Sequence, residues 1–234
     1  MTFPILFEDA EALVIDKPAG LPLDRPRAGG ESLEDHLGEL RLGFQRLPHP
    51  VHRLDRDTSG CLLLARNPKA LRRFSNAFEE KRVAKRYLGV VAGHLTMDHG
   101  TITLSLKKIS SAAEGWRMIA ARLGKPAVTH WRKLAEVEDM TLVEFLPETG
   151  RTHQIRVHAA SGLGVPLIGD PIYGPHAENY AHYEGRAPRT MLHAAGISLP
   201  RLEREPVAAT APFPADFAAL GFADPDAGPD VDGG

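Results

Sequence analysis

The sequence predicts an α+β fold: one domain around a central, mostly antiparallel or mixed sheet, flanked by a few helices. Three observations predict it. Short apolar or alternating runs recur from Ile5 to Leu199, as strands with one buried face require. Only two or three segments carry helical spacing. The strand-like runs stand too close together for regular βαβ crossovers, so helices should pack against a sheet rather than alternate with its strands.

Ile5-Leu6-Phe7 and Ala12-Leu13-Val14-Ile15 read as two strands joined by the turn-prone Glu8-Asp9-Ala10-Glu11. Lys17-Pro18-Ala19-Gly20 then breaks the pattern. Ser32 is an N-cap residue, with Leu33, Leu37 and Leu40 at helical spacing behind it. Residues 61–65 form a continuous apolar run, expected as a buried strand. Asn67 caps a helix with Pro68 at its first position; Leu71, Phe74 and Phe78 line one face, and Lys69, Arg72 and Arg73 lie off it. Residues 84–92, 101–106, 128–134, 141–146 and 191–199 read as strands. The segment 152–161 is ambiguous, because Ile155, Val157 and Ala159 alternate as in a strand. Thr152 as a cap, with Gly162 just past the end, favours a helix. No internal repeat is visible.

A chain of 234 residues, 43% hydrophobic and 25% charged, suits one large globular domain. The expected division is a catalytic domain over 1–215 and an acidic, disordered tail over 216–234. No apolar run is long enough to span a bilayer, and the first residues carry neither a basic n-region nor an h-region. The single Cys61 cannot make an internal disulfide, so a reducing, cytoplasmic setting is expected. A monomer is expected, since no extra interface element is apparent. The formal charge of −2 is uneven: five Asp and no Lys or Arg fall in 216–234, leaving 25 acidic against 28 basic residues before it. Residues 81–133 hold eleven bases and two acids. Such an excess favours a polyanion partner, although a solvated basic face explains the charge equally well.

Three constellations could carry chemistry. The first is His52-Arg53-Leu54-Asp55-Arg56-Asp57-Thr58-Ser59-Gly60, running into the apolar strand at Cys61. Asp57-Thr58-Ser59-Gly60 has turn chemistry, since Asp and Ser side chains bond nearby backbone and Gly accepts positive φ. That assigns Asp57 to a turn and leaves Asp55, flanked by cations, as the functional carboxylate. Taken alone, the group reads as a surface ion-pair cluster. The second is Lys85-Arg86-Tyr87, in which a ring could stack on a base while the cations hold phosphates. Alone, it reads as an amphipathic strand with a half-buried tyrosine. The third is Gly150-Arg151-Thr152-His153-Gln154-Ile155-Arg156-Val157-His158, where polar and basic residues crowd a helix start that offers free N–H groups. His153 and His158 are five apart, not the four that share one helical face, which argues against a metal pair. Cys61, alone in an apolar strand, is a poor nucleophile candidate.

Together these blocks resemble the RluA-type family of RNA pseudouridine synthases. The matching residues are His52-Arg53-Leu54-Asp55 through Thr58-Ser59-Gly60, Lys85-x-Tyr87, and Gly150 to Arg156. Gly169-Asp170-Pro171-Ile172-Tyr173-Gly174, Leu192-His193-Ala194 and the opening Ile15-Asp16-Lys17-Pro18-Ala19-Gly20 also fit, so the resemblance spans roughly residues 4–212. Many family members carry an N-terminal S4-type RNA-binding domain; here the pattern begins almost at Met1, and the short subgroup without it is expected.

The resemblance implies an isomerase that detaches uracil at N1, rotates it and reattaches it through C5, without cofactor or metal. It implies Asp55 as the essential carboxylate, Tyr87 as the active-site tyrosine that stacks on the base and helps remove the C5 proton, and Arg151 as the charge partner of Asp55. Arg156 is the alternative partner. The expected RNA-contacting residues are His52, Arg53, Leu54, Arg56, Thr58, Ser59, Gly60, Lys85, Arg86, Thr152, His153, Gln154, Arg156 and His158. The target base must leave the stack to be reached, and Arg53 is expected to help fill the vacated stack or bind its phosphates. The expected partner is structured ribosomal or transfer RNA. A non-catalytic RNA-binding module on the same fold is the rival, and Asp55, Tyr87 and Arg151 together argue against it. A metal nuclease built on His52, Asp55 and Asp57 is a further rival. So is a glycosidase using Asp55 and Asp57, because its two carboxylates would flank the bond.

Overall fold

The first two alternating runs pair as a hairpin of β1 (Ile5–Glu8) and β2 (Ala12–Lys17). Asp9 closes its turn, with Oδ1 accepting the amides of Glu11 and Ala12, both at 2.8 Å. The structure, a computed structural model, describes residues 1–111, 115–177, 180–202 and 204–227. After a short β3 (His49–Pro50), the apolar run becomes β4 (Ser59–Ala65). Asn67 caps α1 (Pro68–Glu79) by accepting the Ala70 amide at 2.9 Å, and the helix buries Ala70, Phe74 and Ala77. Then follow β5 (Ala84–Ala92), β6 (His99–Ser111), β7 (Gly115–Ala120), β8 (Lys125–Val137) and β9 (Met140–Pro147). A short α2 (Gln154–Val157) precedes β10 (Leu192–Arg201), β11 (Arg204–Thr210) and α3 (Ala215–Ala219).

Among the described residues the strands form one eleven-stranded sheet, in the order β1-β2-β4-β10-β5-β9-β8-β6-β7, with β11 on β10 and β3 on β4. The pairing is antiparallel except for β4 on β10, so the sheet is mixed and the domain α+β. Both faces are covered. Ala12, Val14, Cys61 and Leu63 pack under α1, while Leu13, Ile15, Leu62 and Leu64 pack under Leu33, Leu37 and Leu40. Gly60 makes the parallel junction possible: its φ is +102°, and a Cβ there would lie 2.3 Å from the Ala194 carbonyl oxygen. Among the described residues no helix is long and apolar enough to cross a membrane.

Several elements differ from expectation. The segment behind Ser32 is a 3₁₀ turn over Leu33–His36, closed by a Ser32–Asp35 capping box rather than by a full helix. Helix α2 starts one residue later than expected, with His153 rather than Thr152 at its N-cap, because His153 adopts the left-handed region (φ 51°, ψ 23°). It continues as a π-helical turn over His158–Leu163, ended by left-handed Gly164 rather than Gly162. The expected tail is partly core: Phe217 and Phe222 are buried against Leu88, Leu142 and Met191. Their burial supplies the apolar contact that the acidic composition masked. Residues 228–234 of that expected tail lie outside the described residues.

Candidate active site

Asp55 sits on the irregular stretch between β3 and β4. The neighbouring Leu54 is buried against Leu62 and Leu64, which anchors the loop. The turn is centred on Arg56 and Asp57 and closes with the Thr58 amide donating to the Asp55 carbonyl at 3.1 Å. The Asp57 carboxylate bonds no described backbone amide and lies 3.9 Å from Arg56 Nε, so it does not act as the side-chain turn cap that its position suggested. Ser59 spends its hydroxyl on His193 Nδ1 at 2.8 Å, inside the sheet.

The charge partner of Asp55 is Arg156, not Arg151. Arg156 Nη1 donates to Asp55 Oδ2 at 3.2 Å, while Nε and Nη2 grip Asp170 at 2.7 and 2.8 Å. Asp170 is 1% exposed, and its Oδ1 also accepts the amides of Ile172 and Tyr173. Two carboxylates thus hold Arg156 firmly in its charged form. Arg151 is exposed and donates from Nε to the Pro126 carbonyl at 3.1 Å. The physical reason is the left-handed step at His153. It starts α2 at Gln154 and leaves Arg151 outside the helix, exposed, where it lines the same cleft as Asp55 and Tyr87 without pairing with Asp55.

Gln154 fastens α2 to the sheet. Its Oε1 accepts from Thr149 Oγ1 (2.7 Å) and the Arg151 amide (3.0 Å), and its Nε2 donates to the Val128 carbonyl (3.0 Å) and Thr129 Oγ1 (2.9 Å). All its bonding capacity is spent internally, so it positions the site and is not free to read RNA. His153 lies with Nε2 3.9 Å from Asp55 Oδ2 and Nδ1 2.9 Å from the Tyr173 hydroxyl, under the Trp116 ring at 4.9 Å. Burial lowers its pKa, against the opposing pull of the Asp55 charge.

Tyr87, on β5, is half-buried and lines a cleft of about 100 Å³ together with Asp55, Arg53, Thr58, Lys85 and Leu192. Burial, aided by the Asp55 charge, pushes its hydroxyl pKa up, so the ring is a neutral phenol near pH 7. That hydroxyl has no hydrogen-bond partner among the described residues. Lys85 is shifted down to about 8 by burial, with Nζ 3.5 Å from the Thr149 carbonyl. Arg53 is exposed and makes no ion pair or hydrogen bond with a described residue. Arg53, Asp55 and Thr58 also line an adjoining groove of about 340 Å³ that Trp116 borders.

Other expected contact residues turn inward. His52 Nε2 accepts the Leu63 amide at 3.0 Å and the ring stacks on Phe78 at 4.9 Å; burial holds it down to about 4. His158 is fully buried with no partner on either ring nitrogen. Arg86 pairs with Glu144 at 2.6 Å and with Asp226. Arg56 is exposed, with Nε on the Gly20 carbonyl at 3.1 Å. Thr152 is half-buried on the cleft wall. Within the basic stretch, Lys107, Lys108, Arg122 and Lys125 are exposed and have no carboxylate partner among the described residues. Asp170, Tyr173 and Trp116 were not expected as site residues. The first two lay in the quoted 169–174 stretch, while nothing local marked Trp116.

A cleft lined by both a tyrosine ring and an arginine-held carboxylate, beside exposed basic strands, fits an enzyme acting on a base within a nucleic acid. The family described as RNA pseudouridylate synthase matches residues 11–161, more than half of the chain, and the chain belongs to that family. It is an RNA pseudouridine synthase, an isomerase. It is 54% identical over 218 residues to an uncharacterized RNA pseudouridine synthase of Zymomonas mobilis, covering 93% of this chain and 97% of that one. It is 36% identical to the ribosomal large subunit pseudouridine synthase D of Nitrosomonas europaea, covering 92% of this chain and 63% of that one. Human RNA pseudouridylate synthase domain containing 1 superposes with a TM-score of 0.72 at 31% identity, covering 91% of this chain and 84% of that structure. Human RNA pseudouridylate synthase domain containing 4 gives 0.75 at 25% identity, covering 92% and 90%.

Proposed function

We propose that this chain converts a specific uridine to pseudouridine in structured ribosomal or transfer RNA, with Asp55 as the reacting carboxylate and no cofactor. The observation that carries this reading is the Asp55 carboxylate, held at 3.2 Å by Arg156 on the wall of the cleft that Tyr87 also lines. The C1′–N1 bond breaks, the uracil turns, a C1′–C5 bond forms, N1 gains a proton and C5 loses one. Asp55 acts at C1′ or on the departing base and afterwards receives the C5 proton. A neutral Tyr87 phenol cannot itself be a strong base. It passes that proton on only by giving its own to Asp55 in the same step, while its ring supports the turned base. Arg156 supplies a fixed positive charge to the carboxylate throughout.

The nucleotide must be extruded to enter a cleft this small. Arg53, unpaired at the rim, takes its place in the stack. Lys107, Lys108, Arg122 and Lys125 hold the flanking phosphates. The relatives named for the large ribosomal subunit favour ribosomal RNA over transfer RNA. The enzyme works as a monomer in the cytoplasm. The test is to incubate the protein with unmodified large-subunit rRNA and, separately, total tRNA, and to map pseudouridine by carbodiimide-dependent primer extension. A new site that vanishes with Asp55→Asn supports the reading and names the RNA. New sites that persist with Asp55→Asn would remove Asp55 from the chemistry.

A further inference from the structure

A turn is a weak mount for a carboxylate that must stay within a fraction of an ångström of its target. Yet the two carbonyls that follow Asp55 are each gripped by a cation from a distant part of the chain. The Arg56 carbonyl accepts from Lys17 Nζ at 3.0 Å and from the Gly20 amide at 3.0 Å. Lys17 is 0% exposed and donates also to the carbonyls of Pro18 and Leu21 at 2.7 and 2.9 Å. Three acceptors match its three protons, so it is committed to this post.

On the other side, Arg189 Nη1 donates to the Asp57 carbonyl at 3.0 Å, and to those of Thr190 and Leu192 at 3.1 and 2.9 Å. Its opposite edge is held by Asp216, Nε to Oδ2 at 2.6 Å and Nη2 to Oδ1 at 3.1 Å. Leu192 lines the same cleft as Tyr87 and Asp55. One guanidinium therefore ties the Asp55 turn to the cleft wall, and the Asp216 carboxylate, on α3, keeps that guanidinium aimed.

From this geometry we propose that Arg189 and Asp216 are positioning residues of the isomerase: they fix Asp55 through the Asp57 carbonyl, opposite the Lys17 grip. The proposal rests on Asp55 being the reacting carboxylate. An arginine is required because one side chain must serve three carbonyls and a carboxylate at once, which a lysine ammonium cannot reach. Loss of this grip leaves the Lys17 grip intact, so the turn shifts rather than unfolds.

The test uses the RNA on which wild-type modification has been mapped. Single-turnover rate at saturating RNA, RNA affinity by filter binding and the thermal midpoint are measured for Asp216→Asn, Arg189→Lys and Asp55→Asn. Misplacement by about 1 Å costs about 100-fold in rate, so a partial shift should cost about tenfold, with RNA affinity held within about twofold. If Arg189→Lys does not fold, the nearly isosteric Asp216→Asn carries the test. A folded Asp216→Asn with a rate within about threefold of wild type would overturn the proposal. So would a loss of rate matched by an equal loss of RNA affinity, since that marks general disruption. Full activity in Asp55→Asn would instead overturn the reading of Asp55, and with it the catalytic meaning of the grip.

Discussion

Replacing Asp170 with Asn tests the site at a buried point. In the wild type, Oδ1 accepts three bonds, from Arg156 Nη2 (2.8 Å) and the amides of Ile172 (2.9 Å) and Tyr173 (3.1 Å), while Oδ2 accepts Arg156 Nε at 2.7 Å. The asparagine oxygen will take the three-bond position, because that satisfies most donors. Its NH₂ then faces Arg156 Nε, so a charge-assisted bond becomes a donor opposed to a donor. The group is 1% exposed, and water cannot relieve the opposition. Breaking one partner of a buried ion pair costs about 3–5 kcal/mol; with three bonds kept, about 3 kcal/mol is expected. For a chain of this length that lowers the thermal midpoint by about 6–12 °C. Arg156 also loses the brace that aims it at Asp55, and the single-turnover rate should fall by about 100-fold, the penalty of an ångström-scale displacement. Differential scanning fluorimetry and single-turnover modification of the mapped RNA measure the two effects. A midpoint within about 2 °C of wild type and an unchanged rate would refute the claim that Asp170 holds Arg156 against Asp55.

Three further outcomes are expected. Tyr87→Phe keeps the ring and loses only the hydroxyl, so the rate should drop by about 100-fold with RNA affinity unchanged; an undiminished rate would reduce Tyr87 to a stacking surface. Burial holds His52, His158 and His193 at about 4, below the ordinary 6.5, so the folded chain binds fewer protons than the unfolded one between these values. Stability is therefore complete above about pH 6.5 and declines as pH falls towards 4, each ring contributing about 1.4 kcal/mol per pH unit. His158 makes no hydrogen bond, so urea midpoints of His158→Phe should show a pH slope reduced by one proton, and an unreduced slope would count against its neutral burial. Finally, Lys107→Ala and Lys108→Ala should each weaken RNA binding and lower the log–log salt slope by about 0.7–0.9; an unchanged slope would move the phosphate path elsewhere.

Much of this molecule was legible locally. The alternation of Leu13 and Ile15 against Ala12 and Val14 is a two-faced strand, and the structure sorts these residues onto the two faces of the sheet. Asn67 and Pro68 marked the start of α1, because capping depends on residues within one turn. Asp55 and Tyr87 were not legible in that local way: each block alone reads as an ion-pair cluster or an amphipathic strand, and only the blocks together singled them out; the structure places both along one cleft. Strand β11 was not legible: its Arg204-Glu205-Pro206 start is polar and broken by proline, and it exists because β10 offers it an edge. Phe217 and Phe222 were hidden in an acidic stretch, and only the partners they meet make them core.

What the sequence by itself determined was the strand pattern and the cap of α1, since periodicity and capping act over short stretches of chain, while Asp55 and Tyr87 were singled out by the resemblance of several blocks taken together. What only the tertiary structure decided was which cations serve that carboxylate. In one dimension Arg151 was the expected partner and Arg156 the alternative. The left-handed step at His153, the internal bonds of Gln154 and the anchor at Asp170 turn Arg156 inward, across a separation of 101 residues to Asp55. The same holds for Lys17 and Arg189, whose value lies in carbonyls far along the chain. A guanidinium's partner depends on where the backbone places both groups, and no local pattern encodes that distance.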